Sequence, residues 1–274
     1  MNTPHSSPAQ QGAQPHSGAR ITAITSGKGG VGKTFVTANL AAALAQKGQR
    51  VLVLDADLGM ANLDVVLSLY PRITLHDVFR GSHTLDEALM DAPGGFSVLL
   101  AGSGLIDYSR LTPLVRERLL EVLDAMRPRF DHILLDTGAG ISDVVLYTVS
   151  LADRVLVVTT PEPTALTDAY ATMKILASTQ QRRRIEVLVN QINRPGEGAV
   201  LCEQLQQVVD RYVSSGSSLA LRLRCLGEVP LDNSVRDAVA RRQLLLDLYP
   251  GSPAARALRD VAQRMSLLDS PALV

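Results

Sequence analysis

Tryptophan is absent from this 274-residue chain, and only four Phe and six Tyr supply aromatic rings. Packing therefore has to rest on Leu, Val, Ala and Ile. Cysteine is almost as scarce: Cys202 and Cys225 are the two present. Their spacing suits neither a metal cluster nor a disulfide framework, and such usage fits a reducing cytosol. Net charge is missing too. Twenty-seven basic and 27 acidic side chains cancel, so no global field favours nucleic acid or an anionic surface, and direct nucleic-acid binding is not expected. No apolar run reaches the length of a membrane-spanning helix. Residues 1–19, rich in Gln, Ser, Pro and His, lack the apolar stretch of a signal peptide. They read as a disordered tail, or alternatively as an arm that orders on a partner.

What the chain does have is apolar mass, 46% of its residues, enough for a large core in one α/β domain. It also has one informative glycine cluster, Gly27-Lys28-Gly29-Gly30-Val31-Gly32-Lys33-Thr34. Gly-x-x-x-x-Gly-Lys-Thr lets successive backbone N–H groups curl round a chain of phosphates. Its lysine reaches the β/γ phosphates and its threonine hydroxyl coordinates the accompanying Mg²⁺. The flanks agree. Arg20-Ile21-Thr22-Ala23-Ile24-Thr25 reads as a buried strand, and 34–47 reads as a helix with Leu40, Ala43 and Leu44 on one side and Gly48 past its end. A helix N-terminus behind the loop adds its partial positive charge to the site.

Near-continuous apolar runs follow at 50–55, 97–101, 132–136, 155–159, 185–190 and 225–230. Helical stretches at 111–126, 141–152, 164–179 and 199–213 lie between several of them. Strands of this kind belong to a sheet covered on both faces, so the expected fold is a doubly wound, mostly parallel α/β sheet of the P-loop NTPase type. One domain over 20–268 is expected, with a short tail at 269–274. Ligands in such sheets sit beyond the C-terminal strand ends. Two ends carry carboxylates: Asp136, after Ile133-Leu134-Leu135, and Asp57, in Asp55-Ala56-Asp57-Leu58-Gly59-Met60-Ala61-Asn62-Leu63-Asp64. Asp136 is placed as a Walker B aspartate near the Mg²⁺. Asp57 faces the phosphate loop from its strand end, with capping of a helix near Leu63 as the alternative for it and for Asn62.

With its early Lys28, the loop resembles the deviant Walker A motif of the MinD/ParA ATPases, and the resemblance extends over about residues 20–265. It implies ATP and Mg²⁺ as cofactors and an ATP-bound homodimer in which Lys28 crosses to the other subunit's phosphates. It implies Gly27, Gly29, Gly30, Val31, Gly32, Lys33 and Thr34 around the phosphates, and Thr34, Asp57 and Asp136 around the metal. Asp57 would activate the attacking water, and Asn62 would belong to the switch and dimer region. Glu162 would reach the neighbouring ribose, while Asn190 and Pro230 would lie by the adenine. Thr137-Gly138-Ala139-Gly140 is similar to the family's switch II, with glycine in place of its usual proline.

The segments 136–143, 161–170, 229–239 and 249–255 are most similar to the flagellar-number regulators of the FleN/FlhG group. That implies an output on flagellar number, placement or gene expression. The partner would be a flagellar transcription activator or a flagellar GTPase or assembly protein. The Asp-Gln-Ala-x-x-Leu-Arg element of some FlhG proteins is not found before Arg20, which favours the activator-restraining branch. A positioning ATPase for division or DNA segregation is the alternative. A cytoplasmic location follows, with peripheral attachment to the inner face of the membrane open through a C-terminal stripe, Leu258, Val261, Met265 and Leu268, set against Arg256, Arg259 and Arg264. Packing of that stripe on the domain is the favoured reading.

Overall fold

In a computed structural model, residues 18–58, 62–102, 111–213 and 220–269 are described. The N-terminal tail as far as residue 17, the end from 270, and the Gly59-Met60-Ala61 part of the Asp55–Asp64 motif lie outside them. Among the described residues, eight strands form one sheet: β1 (Arg20–Ser26), β2 (Val51–Ala56), β3 (Met90–Asp91), β4 (Ser97–Leu99), β5 (His132–Ala139), β6 (Arg154–Thr159), β7 (Arg184–Ile192) and β8 (Arg222–Pro230). Their order is β3-β4-β2-β5-β1-β6-β7-β8, parallel except for β3 against β4.

The apolar runs bury both faces because alternate side chains enter two cores. Leu52 and Leu54 of β2, Ile133 and Leu135 of β5, and Val155 and Val157 of β6 point into one core. Val51, Val53, Leu134, Leu156 and Val158 point into the other. The first core is covered by α5 (Pro113–Met126), α6 (Asp143–Ser150), α7 (Pro163–Gln180) and α8 (Glu197–Tyr212). The second is covered by α1 (Lys33–Ala45), with α2 (Leu63–Leu67) and the C-terminal helices α9 (Asn233–Ala240), α10 (Leu245–Leu248) and α11 (Pro253–Asp269).

Two short helices, α3 (Leu75–Phe79) and α4 (Leu85–Ala88), were not expected. Each is four or five residues long, too short for a periodic apolar face, but both are closed by capping boxes, Thr74 with Asp77 and Thr84 with Glu87. β4 ends two residues before the expected 101, because the Leu100 carbonyl accepts the Leu75 amide at 2.9 Å. β5 runs on to Ala139, which pairs with Ser26 after a register shift in β1.

The stripe on α11 is used internally. Leu258, Val261 and Met265 are at most 1% exposed, packed on α1 and β8. Among the described residues, no helix is long and apolar enough to cross a membrane.

Candidate functional site

β1 ends at the centre of the sheet, flanked by β5 and β6, and the glycine loop connects it to α1. The loop is held by close packing. A Cβ on Gly27 would overlap the carbonyl of Asp168 in α7 and lie 2.8 Å from the Ala169 nitrogen. Gly32 caps α1 at φ 90°, and a Cβ there would lie 2.5 Å from Asn190 Nδ2. Only glycine adopts that backbone cheaply. Asn190, at the end of β7, is buried and donates from Nδ2 to the Val31 carbonyl at 2.8 Å, so its side chain braces the loop from behind.

In front of the loop lies a cavity of about 510 Å³, lined by Gly29, Gly30, Val31, Gly32, Lys33 and Thr34, by Asp57 and Asn62, and by Gly138 to Ala139 with Ser142. β2 and β5 are neighbours, with Asp55 opposite Asp136. The switch residues of both strands therefore open on the same space as the loop.

Asp136 is 2% exposed, behind Lys33 and Thr34. Thr37 Oγ1 donates to its Oδ1 at 3.0 Å, the Thr34 hydroxyl also bonds it, and Lys33 Nζ stands 3.8 Å away. Burial nevertheless holds its pKa above 3.8, against the pull of Lys33 and the two threonines, with Asp57 adding repulsion. Asp55 is buried as well. Desolvation first, and then the Asp136 charge, push it well above 3.8. Its Oδ1 accepts the Asp57 amide at 3.2 Å, and it also accepts the Leu63 amide, so it ties both ends of the switch segment to β2. Its Oδ2 has no hydrogen bond among the described residues.

The donors fit a hard divalent cation: hydroxyl and carboxylate oxygens, two of the carboxylates raised in pKa by burial. Among the described residues, no group of three or more His, Cys, Asp and Glu side chains converges on a metal position.

Lys28 lies outside the cavity lining. Its Nζ donates to Glu162 Oε1 at 2.7 Å and to Thr164 Oγ1 at 2.8 Å, at the start of α7. That contact holds Glu162 below its ordinary 4.5. Asn62 is the N-cap of α2, yet its side chain makes no capping bond. Pro230 lines a separate cavity, with Ile192, Pro195 and α11. Four residues that sequence reading passed over belong to this architecture: Asp55, Thr37, Thr164 and Ser142. Thr37 had one legible signal, since it stands one helical turn after Lys33. Ser142 had another: three residues before Val145, it caps α6.

A glycine loop between a central parallel strand and a helix, facing carboxylates from two neighbouring strands, defines a P-loop nucleotide-binding protein. Residues 22–246 match the CobQ/CobB/MinD/ParA nucleotide binding domain, and the chain belongs to that family. It is 41% identical over 253 residues to the antiactivator FleN of Pseudomonas aeruginosa, covering 92% of this chain and 88% of that protein. It is 32% identical to the flagellum site-determining protein YlxH of Helicobacter pylori, covering 89% of this chain and 80% of that one. Among solved structures, the septum site-determining protein MinD of Pyrococcus horikoshii, complexed with Mg-ADP, superposes with a TM-score of 0.71 at 27% identity, over 92% of this chain and 99% of that one.

Proposed function

We propose that this protein is a slow, cytoplasmic ATP switch of the flagellar system, which alternates between a monomer and an ATP-bound homodimer and changes partner binding between the two. The observation that supports the switch is the pair of loop lysines. Lys33 faces the cavity beside Asp136, whereas Lys28 is held at its rim by Glu162 and Thr164. An exposed ion pair of that kind is easily exchanged, leaving Lys28 able to neutralise phosphate oxygens across an interface.

In this reading the loop amides from Gly29 to Thr34 and Lys33 take the phosphates. Thr34 and Asp136, with Asp57, are the oxygen donors that would hold Mg²⁺, which supplies charge neutralisation at the β/γ phosphates. Asp57, tethered through its amide to Asp55, orients the attacking water. Asn62 joins the switch and dimer surface. Glu162 serves the partner's ribose once Lys28 has left it, and Asn190 and Pro230 edge the adenine side. The names antiactivator and flagellum site-determining protein, borne by two relatives, support a flagellar transcription activator as the restrained partner, or a flagellar GTPase or assembly protein. Membrane attachment through the α11 stripe is not part of this reading, because Leu258, Val261 and Met265 are buried and Leu268 partly so. The MinD-like fold keeps a division-positioning ATPase as the alternative; deleting the gene and scoring flagella against septa separates the two.

The biochemical test uses Asp57→Ala. ATP affinity is expected to remain near that of the wild type while single-turnover hydrolysis falls at least about a hundredfold. The variant should sediment as a dimer with saturating ATP and Mg²⁺, and adding Lys28→Ala should return it to monomer. An Asp57→Ala protein that stays monomeric under those conditions would remove the switch mechanism. Dimers indifferent to Lys28→Ala would remove only the crossing role.

A further inference from the structure

The nucleotide site uses neither cysteine, yet the fold brings the two together. Cys202 lies in α8 and Cys225 in β8, and these elements pack directly on each other. Glycine makes the approach close: a Cβ on Gly198 would lie 2.7 Å from Glu228 Cβ. Gly198 precedes Cys202 by one helical turn, so its carbonyl is the acceptor for the Cys202 amide. Cys225 Sγ lies 3.9 Å from that same carbonyl oxygen and 4.0 Å from the Gly227 carbonyl. Cys202 belongs to the core on this face of the sheet, and Cys225 packs against that core. One of the pair is sheltered and the other reachable: Cys202 is buried, whereas Cys225 is partly open to solvent.

We propose that Cys202 and Cys225 form a reversible thiol–disulfide couple, an oxidation site separate from the nucleotide pocket, with hydrogen peroxide as the oxidant. Cys225 is the attacking sulfur. Its neighbour Cys202 brings its pKa down to about 7, despite partial burial, which favours the thiolate. Cys202 is pushed up by Cys225 and by burial, and keeps its proton.

The Cys225 thiolate attacks one peroxide oxygen and the O–O bond breaks. The other oxygen leaves as hydroxide, becomes water on taking a proton from solvent, and Cys225 is left as the sulfenic acid. The Cys202 sulfur then attacks the Cys225 sulfur and the S–O bond breaks. The hydroxyl departs as water with the Cys202 proton, and the S–S bond forms. Two electrons have passed from the sulfurs to the peroxide, and a small-molecule dithiol returns them. The bond would fasten α8 to β8, which among the described residues is the edge strand beside β7. β7 carries Asn190, the brace behind the phosphate loop.

The test exposes the full-length, reduced protein to equimolar hydrogen peroxide, removes the oxidant, alkylates remaining thiols in denaturant and maps the digest by mass spectrometry. The expected product is a Cys202–Cys225 cross-linked peptide within one chain, released by dithiothreitol, with alkylation of both thiols reduced about tenfold. Cys202→Ser should stop at a Cys225 sulfenic acid trapped by dimedone, and Cys225→Ser should leave Cys202 fully alkylatable after the same exposure. Thermal melts of the reduced variants check that each folds. The couple is overturned if both wild-type thiols stay alkylatable, if Cys225 runs to sulfinic acid without cross-linking, or if the disulfide joins two chains.

Discussion

Replacing Gly27 by Ala tests whether the phosphate loop is positioned by its packing against α7. The new Cβ would stand 2.8 Å from the Ala169 nitrogen, where ordinary contact begins near 3.4 Å, and it would overlap the Asp168 carbonyl more deeply. Both obstacles are backbone atoms inside an 18-residue helix, so no side chain can rotate away. Either the end of β1 or the first turns of α7 has to move by roughly 1 Å, an overpacking expected to cost about 3 kcal/mol, the upper end of the usual range. A shift of that size also displaces the loop amides from the phosphates, and misplacement on this scale is worth about two orders of magnitude at a reacting centre.

Gly29→Ala is the matched control, because its Cβ would meet nothing within 4 Å. Urea unfolding and nucleotide-binding calorimetry on both variants check the reasoning. Gly27→Ala should lose stability and affinity together, and Gly29→Ala should keep its stability. A Gly27→Ala protein as stable as the wild type would show that the loop does not depend on the α7 contact.

Lys33→Ala should weaken nucleotide binding in the monomer itself, read by calorimetry, whereas Lys28→Ala should leave monomer binding nearly unchanged. Asp55 has a folded pKa above its ordinary 3.8, so its stabilising contribution is complete below about that pH and is lost as pH rises through the raised value. Asp55→Asn should therefore flatten the fall in stability of the nucleotide-free protein on that alkaline side, and urea midpoints across the acid-to-neutral range that run parallel to the wild type would contradict this. Leu258→Ala should destabilise the fold by about 2–5 kcal/mol; unchanged thermal and urea midpoints would mean that α11 is not held in the core.

The local sequence was enough for the parts of this protein governed by near neighbours. The loop from Gly27 to Thr34, its flanking strand and helix, and the two-sided burial of β2, β5, β6 and β7 all follow from residue types at short spacing. Strand order and lateral neighbours do not, because parallel strands pair across whole crossovers. The adjacency of β2 and β5 decided that Asp55 lies opposite Asp136 and loses its water, making an unassigned aspartate the anchor of the switch segment. Packing of α7 against β1 decided that Lys28 finds Glu162 and Thr164. β7 decided that Asn190 holds the Val31 carbonyl. An amphipathic stripe reads the same on a membrane or against a core, and only the surfaces of α1 and β8 settled where that of α11 goes. The two cysteines, isolated in sequence, come into one core because Gly198 lets α8 approach β8, a distance that no local pattern encodes.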